Sequence, residues 1–348
     1  MLLKNIPLFQ KQLTGWYRRN ARDLPWRRTG DPYKIWISEI MLQQTQVQTV
    51  IPYYERWLEQ FPDLKTLAKA PEHEVMKYWA GLGYYRRARM IHAASKWLVD
   101  KKGGKFPRTA KELLELPGIG RYTAGAVASI AFGEKTPVLD GNVIRILTRL
   151  AAVKEDTGKP KTIEKLWELA GKLIPAKEAG DFNQAMMELG ATVCTPQNPS
   201  CLLCPVTASC QGRKGNPENF PVKKIKEKIE KIKTAALVLR NNGKIFVGRQ
   251  TAKERWGGLW VFPFDKDLRS ILEKFRIPEI DLKHKLTIRH GFTKYQVSLE
   301  VYEGEQRPSK GLKNFGEWVP VQKLSGLAFP SPHQKIVTEI LKDHASRA

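Results

Sequence analysis

The 348-residue sequence is poor in cysteine, in acidic residues and in long apolar runs. No apolar run reaches the ~18–20 residues that a membrane-spanning helix requires, so we expect no transmembrane helix. No signal peptide or apolar h-region stands at the N-terminus, which favours a reducing, cytoplasmic compartment. There is no internal repeat, and the only low-complexity tract is a lysine-rich segment near the middle of the chain.

Basic residues strongly outnumber acidic ones, with 59 Lys and Arg against 35 Asp and Glu and a formal net charge of +24. Such a surplus indicates a polyanionic partner, because each phosphate that a cation neutralises releases condensed counterions. Nucleic acid is therefore the expected partner, and a cytoplasmic protein of this kind would associate with the nucleoid. A solvated charged surface is the alternative. A membrane surface is disfavoured because no basic amphipathic helix stands at a terminus.

The only cysteines form one closely spaced group, Cys194-x6-Cys201-x2-Cys204-x5-Cys210. Four thiolates can hold either an iron–sulfur cluster or a structural zinc ion. Zinc ribbons usually carry two separated C-x2-C pairs, whereas this segment has one close pair, two single cysteines and no nearby histidine. The spacing favours a [4Fe–4S] cluster as cofactor, with zinc and a disulfide framework as the alternatives.

Periodicity and composition change along the chain and predict two domains. In residues 1–215 apolar positions recur at helical spacing, as at Ile35, Trp36 and Ile40, so this part is expected to be all-α. Residues 216–233 contain prolines and many lysines and are interpreted as a basic linker. Residues 234–348 show alternation with a period of two and are expected to form an α+β domain.

The second domain has a definite predicted order of elements. Strands are predicted at residues 234–240, 244–250, 259–264, 284–290, 295–302 and 317–321, and helices at 268–275 and 332–344. The segment NNG at residues 241–243 joins the first two strands as a hairpin turn. Ser331 is expected to cap the last helix, with Pro332 at its first position.

A glycine-containing turn, LPGIG at residues 116–120, precedes a strongly helical segment. Gly118 and Gly120 allow a tight turn and a close backbone approach to a ligand, and the free N–H groups at the start of the next helix can bind a phosphate. A helix–hairpin–helix grips DNA in this way without reading bases. The alternative is an ordinary turn between two helices.

Two carboxyl groups stand out in the helical half of the chain. Glu39 is spaced three and four residues from Trp36 and Ile35, so it should lie on the apolar face of a helix that Asp31 caps. Burial there would raise its pKa toward the range of a general acid. Asp140 precedes another helix, and a simple N-cap is the competing interpretation. For Glu39 the alternative is a buried carboxyl satisfied by hydrogen bonds. One protonated and one ionised carboxyl together can cleave a glycosidic bond.

These residues resemble one family, the helix–hairpin–helix adenine DNA glycosylases of the MutY type. The resemblance covers nearly the whole chain and rests on the segments LPWR at 24–27, SEIMLQQTQ at 38–46, GLGYY at 81–85, LPGIG at 116–120, VLDGNV at 138–143 and the cysteine loop. It implies an all-α glycosylase domain with a [4Fe–4S] cluster loop, followed by a Nudix-like domain. It also implies excision of adenine mispaired with 8-oxoguanine, and with G, from duplex DNA.

The resemblance assigns roles to individual residues. Glu39 is the implied general acid, Asp140 the stabiliser of the oxocarbenium-like sugar, and Tyr122 and Asn142 orient Asp140 or the sugar. The implied adenine pocket is formed by Trp26, Arg27 and Leu42, while Gln44 and Tyr84 wedge into the base stack beside the flipped nucleotide. Ordinary core packing is the alternative for Tyr84 and Tyr85.

Two positions refine this interpretation. In related glycosylases with lyase activity a lysine matches Tyr122 and forms a Schiff base, so a phenol there predicts a monofunctional glycosylase. The Nudix-like domain has no R-E-x2-E-E core between residues 257 and 280, which favours lesion recognition over nucleotide hydrolysis. The family's lesion-reading Phe-Ser-His is replaced by Phe292, Thr293 and Lys294, for which a plain hairpin turn is the alternative.

Three classes of function follow from these residues. The first is the adenine glycosylase, acting as a monomer without a membrane partner. The second is a bifunctional pyrimidine glycosylase–lyase, and the third is a non-enzymatic cluster protein that only binds DNA. Tyr122 argues against the second, and the pair of Glu39 and Asp140 argues against the third.

Overall fold

A computed structural model describes residues 5–223, 229–251, 254–278, 281–292, 294–306, 312 and 314–346. The chain divides into two compact units. The first comprises Met1–Lys69 and Met90–Lys226, and the second comprises Ala70–Arg89 and Glu227–Ala348. Within the described residues, no helix is both long and apolar enough to cross a membrane.

The helices of the described residues are α1 Ile6–Asn20, α2 Pro32–Leu42, α3 Val47–Gln60, α4 Leu64–Lys69, α5 Glu72–Trp79, α6 Arg86–Lys102, α7 Ala110–Leu113, α8 Arg121–Phe132, α9 Gly141–Ala151, α10 Pro160–Leu173, α11 Ala179–Thr192, α12 Leu268–Phe275 and α13 Ser331–Ala345. The strands are β1 Glu230–Asn241, β2 Lys244–Arg249, β3 Trp260–Val261, β4 Phe264–Asp265, β5 Lys283–Phe292, β6 Tyr295–Glu305 and β7 Glu317–Pro320. Short 3₁₀ turns include Pro25–Arg27 and Gly212–Lys214.

The first unit is all-helical among its described residues, as predicted. Its core includes a cluster from α1, α8, α9, α10 and α11, with Phe9, Leu147 and Phe182 almost completely buried. The starts of α2 and α9 are fixed by side-chain caps: Asp31 accepts from the N–H of Tyr33, and Asp140 accepts from the N–H of Val143. These two caps fix the residues at which α2 and α9 begin, and both helices carry residues of the candidate site.

Close approach of α9 and α11 depends on a glycine. A Cβ at Gly190 would lie 2.5 Å from the Cβ of Asn142, closer than real Cβ contacts come. Glycine at this position therefore lets α11 pack directly against the start of α9. Asp140 and Asn142, the predicted site residues at the start of α9, are held close to α11 as a result.

The second unit is built on a seven-stranded sheet with the order β3-β2-β1-β6-β5, with β4 paired to β1 and β7 paired to β2. β1 and β6 are parallel, and the other pairs are antiparallel. One apolar cluster joins the sheet to α13, and a second joins it to α12. Residues from the stretch 70–89 bond to this unit, since Tyr85 Oη donates to the carbonyl of Phe329 and Ser331 Oγ donates to the carbonyl of Gly81.

Most predicted elements of the second unit are observed, β5 and β6 run two and three residues past their predicted ends, and three further details differ. β1 begins at Glu230, four residues before the predicted strand, because residues 230–233 pair in parallel with β6. The strand predicted at 259–264 is divided into β3 and β4, with Pro263, which has no N–H to donate, between them. The prediction that Ser331 caps the last helix is wrong: Pro330 is the N-cap and Ser331 is the first helical residue.

Candidate functional site

One cavity in the first unit, of about 630 Å³, brings most of the predicted site residues together. Its volume lies within the ~300–1,000 Å³ that small-molecule sites span. The residues predicted from the sequence that line it are Trp26, Arg27, Glu39, Leu42, Gln44, Gly120, Tyr122, Asp140 and Asn142. They come from the Pro25–Arg27 turn, from α2 and the turn that follows it, and from the starts of α8 and α9.

Glu39 lies on the buried face of α2, as its spacing predicts, and is 6% exposed. Its Oε2 accepts a hydrogen bond of 2.6 Å from Tyr122 Oη. Burial raises the pKa of Glu39 to about 7, and the charge of Asp140 adds to the rise; the Tyr122 hydrogen bond and the charge of Arg27 oppose it. A carboxyl with this pKa holds or releases a proton near neutral pH, as a general acid must.

Asp140 caps α9 and also faces the cavity, so both interpretations of this residue apply. Its Oδ1 accepts from the N–H of Val143 at 2.7 Å, and its Oδ2 accepts from the Asn142 side-chain amide at 2.9 Å. Burial raises the pKa of Asp140 above its ordinary value, while these hydrogen bonds lower it. The partial positive charge at the start of α9 also stabilises the carboxylate.

Asn142 is held in turn by a buried arginine that sequence reasoning did not identify. Arg145 Nη2 donates to Asn142 Oδ1 and to the carbonyl of Gly190, both at 2.8 Å. Arg145 Nε donates to the carbonyl of Cys194 at 2.8 Å. The Arg145 guanidinium therefore connects Asn142, which holds Asp140, to the backbone of Cys194, the first cysteine of the loop.

A second missed element is an ion-pair group on the cavity wall. Glu188 of α11 has a fully buried side chain and binds Arg22 through two hydrogen bonds of 2.8 Å and Arg27 through one of 2.7 Å. Burial alone would raise the pKa of Glu188, but the two guanidinium groups outweigh it and lower the pKa to about 2. Glu188 lies between Ala185 and Leu189 in helical spacing, so the signal that identified Glu39 was also present here.

The two glycines of the predicted hairpin have different structural roles. Gly118 has a φ of +78°, and a Cβ there would lie 2.4 Å from the Cβ of Met90, so only glycine fits. Gly120 is the N-cap of α8 and lines the cavity. Gln44, predicted to wedge into the base stack, adopts a φ of +57° in the turn after α2. The tight turn before α8 is thus confirmed at Gly118, whereas Gly120 has a φ of −98° and a Cβ there would have nothing within 4 Å, so that position does not require glycine.

The remaining predicted contacts belong to the second unit. Tyr84 lies in the turn before α6 with a φ of +48° and is 48% exposed, so core packing does not explain it, whereas Tyr85 is 6% exposed. Phe292 pairs with Tyr295 across the β5–β6 hairpin, and Thr293 lies outside the described residues. Lys294 Nζ donates to Glu230 at 2.6 Å.

The four cysteines line one small pocket together with Arg149. None of the four forms a disulfide. Arg149 is almost completely buried and donates to Cys194 Sγ at 3.3 Å and to the carbonyl of Thr195 at 2.7 Å, which fixes the loop. Among the residues that the structure describes, no three His, Cys, Asp or Glu side chains are spaced to bind a single metal ion. An all-sulfur donor set around one pocket fits an iron–sulfur cluster.

Comparison with known families agrees with this fold. The protein-family model described as "HhH-GPD superfamily base excision DNA repair protein" matches residues 37–172, and the family model of the NUDIX domain matches residues 234–339. The fold and these two matches thus define a helix–hairpin–helix base excision repair protein with a Nudix-like second domain. The predicted fold class is confirmed.

Individual relatives specify the family. The human adenine DNA glycosylase is 35% identical over 95% of this chain and 73% of its own length. The adenine DNA glycosylase of Buchnera aphidicola from Schizaphis graminum is 36% identical over 97% of this chain and 99% of its own. The chain belongs to the family of adenine DNA glycosylases and is a DNA N-glycosylase of base excision repair.

Solved structures resemble the helical part of the chain. A thermostable thymine-DNA glycosylase is 30% identical with a TM-score of 0.55, and covers 60% of this chain and 96% of that one. An endonuclease III trapped as a covalent intermediate with DNA is 26% identical with a TM-score of 0.52, and covers 60% of this chain and 95% of that one. These likenesses confirm the predicted all-α helix–hairpin–helix glycosylase fold of the helical part.

Proposed function

We propose that the protein binds duplex DNA, flips out an adenine that is mispaired with 8-oxoguanine or with G, and hydrolyses its N-glycosidic bond. The observation that carries the proposal is the meeting of Glu39 and Asp140 in one cavity, with the pKa of Glu39 raised to about 7. Two carboxyls that differ in protonation are the pair that glycosidic cleavage requires. Flipping is needed because the target atoms cannot be reached inside a stacked duplex.

Glu39 is the proposed general acid. Its proton passes to N7 of adenine as the bond from C1′ to N9 lengthens, so the bonding electrons leave with a neutral base. The Tyr122 hydroxyl bonds to Glu39 Oε2 and fixes the direction of the carboxyl. Trp26, Arg27 and Leu42 line the same cavity and form the proposed wall around the base.

Asp140 is the proposed stabiliser of the positive charge that develops on the sugar. Hydrogen bonds from Val143 and Asn142 hold its two oxygens in place before the reaction, so little reorganisation is needed in the transition state. Water then adds to C1′ and loses a proton, which leaves an abasic site. A transient covalent bond between Asp140 and C1′ is consistent with the same placement.

Tyr122 supports a monofunctional reaction. Lyase activity in related glycosylases needs an amine that attacks C1′ and forms a Schiff base, and a phenol bonded to Glu39 cannot do this. The protein should therefore leave the abasic strand uncut. A monomer is sufficient, since the chain carries both the excision cavity and the Nudix-like unit.

Cys194, Cys201, Cys204 and Cys210 are the proposed ligands of a [4Fe–4S] cluster. When bound, the cluster cross-links the loop and supplies structural support. Arg213 and Lys214 follow directly in the Gly212–Lys214 turn, and Arg213 Nη1 donates to Thr207 Oγ1 of the same loop at 3.1 Å. We infer that the loop presents these two cations to DNA phosphates, with Gly118 and Gly120 of the hairpin as a second backbone contact.

The proposed domain organisation is a glycosylase domain at residues 1–215, a basic linker at 216–233, of which residues 230–233 belong to β1, and a lesion-recognition domain at 234–348. The second domain lacks the acidic core of a Nudix hydrolase in its sequence, which supports recognition of 8-oxoguanine in place of hydrolysis. Phe292, Thr293 and Lys294 are the proposed readers. The described ion pair of Lys294 with Glu230 means that Lys294 must exchange partners to reach DNA.

A set of three duplexes tests the proposal. They carry adenine opposite 8-oxoguanine, adenine opposite thymine, or thymine glycol opposite adenine, and each is incubated with the protein and analysed with and without hot alkali. Breaks only in the first duplex and only after alkali are the expected result. Breaks at thymine glycol without alkali indicate a bifunctional lyase, and binding without breaks indicates a DNA-binding protein that is not an enzyme.

A further inference from the structure

Glu188 presents a third carboxyl group, with a fully buried side chain, to the cavity that contains Glu39 and Asp140. We propose, on the basis of the function proposed above, that Glu188 is a positioning residue that holds the guanidinium of Arg27 away from Glu39, so that Glu39 keeps the proton it delivers to adenine. Glu188 does not itself contact the base in this account. It acts through Arg27.

Arg27 has few ways to satisfy its charge. Its side chain is only 13% exposed, its Nη2 donates to Glu188 Oε2 at 2.7 Å, and its Nη1 donates to the carbonyl of Arg22 at 3.0 Å. The guanidinium carbon lies 5.4 Å from the centre of the Tyr17 ring. Because water cannot solvate this cation fully, its position depends on the carboxylate that pairs with it.

The charge of Arg27 reaches Glu39, where it opposes the effect of burial on the pKa of that carboxyl. A carboxylate that pairs directly with an arginine is stabilised in its ionised form. If Arg27 turned from Glu188 to Glu39, Glu39 would therefore lose its proton near neutral pH and could no longer act as an acid.

Within the described part of the chain, three charged or titratable groups act on Glu39. Tyr122 on α8 donates to Glu39, Asp140 at the start of α9 raises its pKa, and Arg27 in the Pro25–Arg27 turn lowers it. Glu188 on α11 lies behind Arg27 and is bound on its other side by Arg22. Without the charge of Glu188, Arg22 can turn to water because its side chain is 38% exposed, but Arg27 cannot. Glu39 and Asp140 are then the carboxyls that share the cavity with Arg27, and Glu39 is the one whose pKa the charge of Arg27 already lowers.

The first test is the pH dependence of single-turnover adenine excision by Glu188→Gln. The expected result is a displacement of the alkaline limb to lower pH by about one unit, which means about a tenfold loss at pH 8 and little loss at pH 6. The matched control is Glu178→Gln, which removes the same charge at the start of the same helix, where Glu178 pairs with the exposed Arg18. The control should follow the wild-type profile at every pH.

Arg27→Gln and the double variant identify the route of the effect. Arg27→Gln leaves the buried Glu188 carboxylate paired with Arg22, and the alkaline limb of its pH profile should move to higher pH. The double variant should lose the downward displacement of Glu188→Gln. The proposal is overturned if Glu188→Gln loses the same fraction of its excision rate at every pH and the double variant does not restore that rate. If Glu188→Gln does not fold, an unchanged limb in Arg27→Gln overturns it as well.

A second measurement does not depend on turnover. Infrared difference titration of the protein without DNA, referenced to Glu39→Gln, follows protonation of the Glu39 carboxyl directly. Its midpoint should fall in Glu188→Gln and rise in Arg27→Gln, and equal midpoints in all proteins contradict the proposal. If the wild-type protein excises no adenine, the proposed function fails, while this titration still decides the role of Glu188.

Discussion

The hydrogen bond between Tyr122 and Glu39 leads to a quantitative prediction for Tyr122→Phe. The bond is 2.6 Å long, and it lowers the pKa of Glu39 against the larger effect of burial. Hydrogen bonds to charged groups contribute about 1.5–3 kcal/mol. When Glu39 is protonated, the Tyr122 hydroxyl can donate instead to Met187 Sδ, 3.2 Å away, so only part of this free energy distinguishes the two protonation states of Glu39. A net difference of about 1.4 kcal/mol corresponds to one pKa unit.

The direction in which Tyr122→Phe moves the pH profile follows from the protonation state in which Glu39 is active. Glu39 acts when protonated, so excision by the wild-type protein should fall about tenfold per pH unit above its pKa of about 7. Loss of the Tyr122 hydroxyl removes a group that stabilises the charged form, so the pKa rises and the alkaline limb moves up by about one unit. The limb should therefore move in the direction opposite to that of Glu188→Gln.

The assay is single-turnover excision at subsaturating enzyme between pH 6 and pH 9, which reports the pKa of the free enzyme. Tyr54→Phe is a matched control, because the Tyr54 hydroxyl is buried and has no hydrogen-bond partner in the described chain. Its profile should match the wild type. A Tyr122→Phe limb that stays in place or moves to lower pH refutes the reasoning.

Three further predictions concern other parts of the molecule. Asp140→Asn should nearly abolish excision and leave mispair binding intact in a gel-shift assay, because a neutral amide cannot offset charge on the sugar; unchanged turnover would reject the role of Asp140. Cys201→Ser should lose iron and weaken DNA binding through a disordered loop, and iron loss with full affinity would show that the loop does not place DNA contacts. Burial lowers the pKa of His333 from 6.5 to about 3, so below pH 6.5 the unfolded chain binds a proton that the folded chain does not. Unfolding free energy should fall by about 1.4 kcal/mol per pH unit between pH 6 and pH 4 relative to His333→Leu, and parallel curves would contradict this.

Patterns within one helix or loop predicted Glu39 and the cysteine group, whereas the family resemblance supplied Trp26, Arg27, Leu42, Gln44, Tyr122 and Asn142. The spacing of Glu39 from Ile35 and Trp36 identified a carboxyl on an apolar face, and Glu39 is buried. The cysteine spacing predicted one pocket, and the four residues share one. In each case the signal lies within about twenty residues of sequence, so no knowledge of tertiary packing is needed.

Contacts between distant segments could not be predicted in the same way. Arg22 and Glu188 are separated by 166 positions, so the partner of a buried Glu188 depends on how α11 packs. The lysine-rich residues before Thr234 have the composition of a linker. Residues 230–233 nevertheless belong to β1, because β6 offers them a parallel partner. Ser331 has the sequence of a cap, but its hydroxyl bonds to Gly81, about 250 residues away.

The most direct test of the central claim is the excision of 7-deazaadenine placed opposite 8-oxoguanine. This base has the shape of adenine but carries carbon at position 7, so Glu39 has no atom there to protonate. The account predicts that the duplex is bound as tightly as the adenine duplex and that its base is not released over the time in which adenine is fully excised. Release of 7-deazaadenine at the rate of adenine would contradict proton transfer from Glu39 to N7.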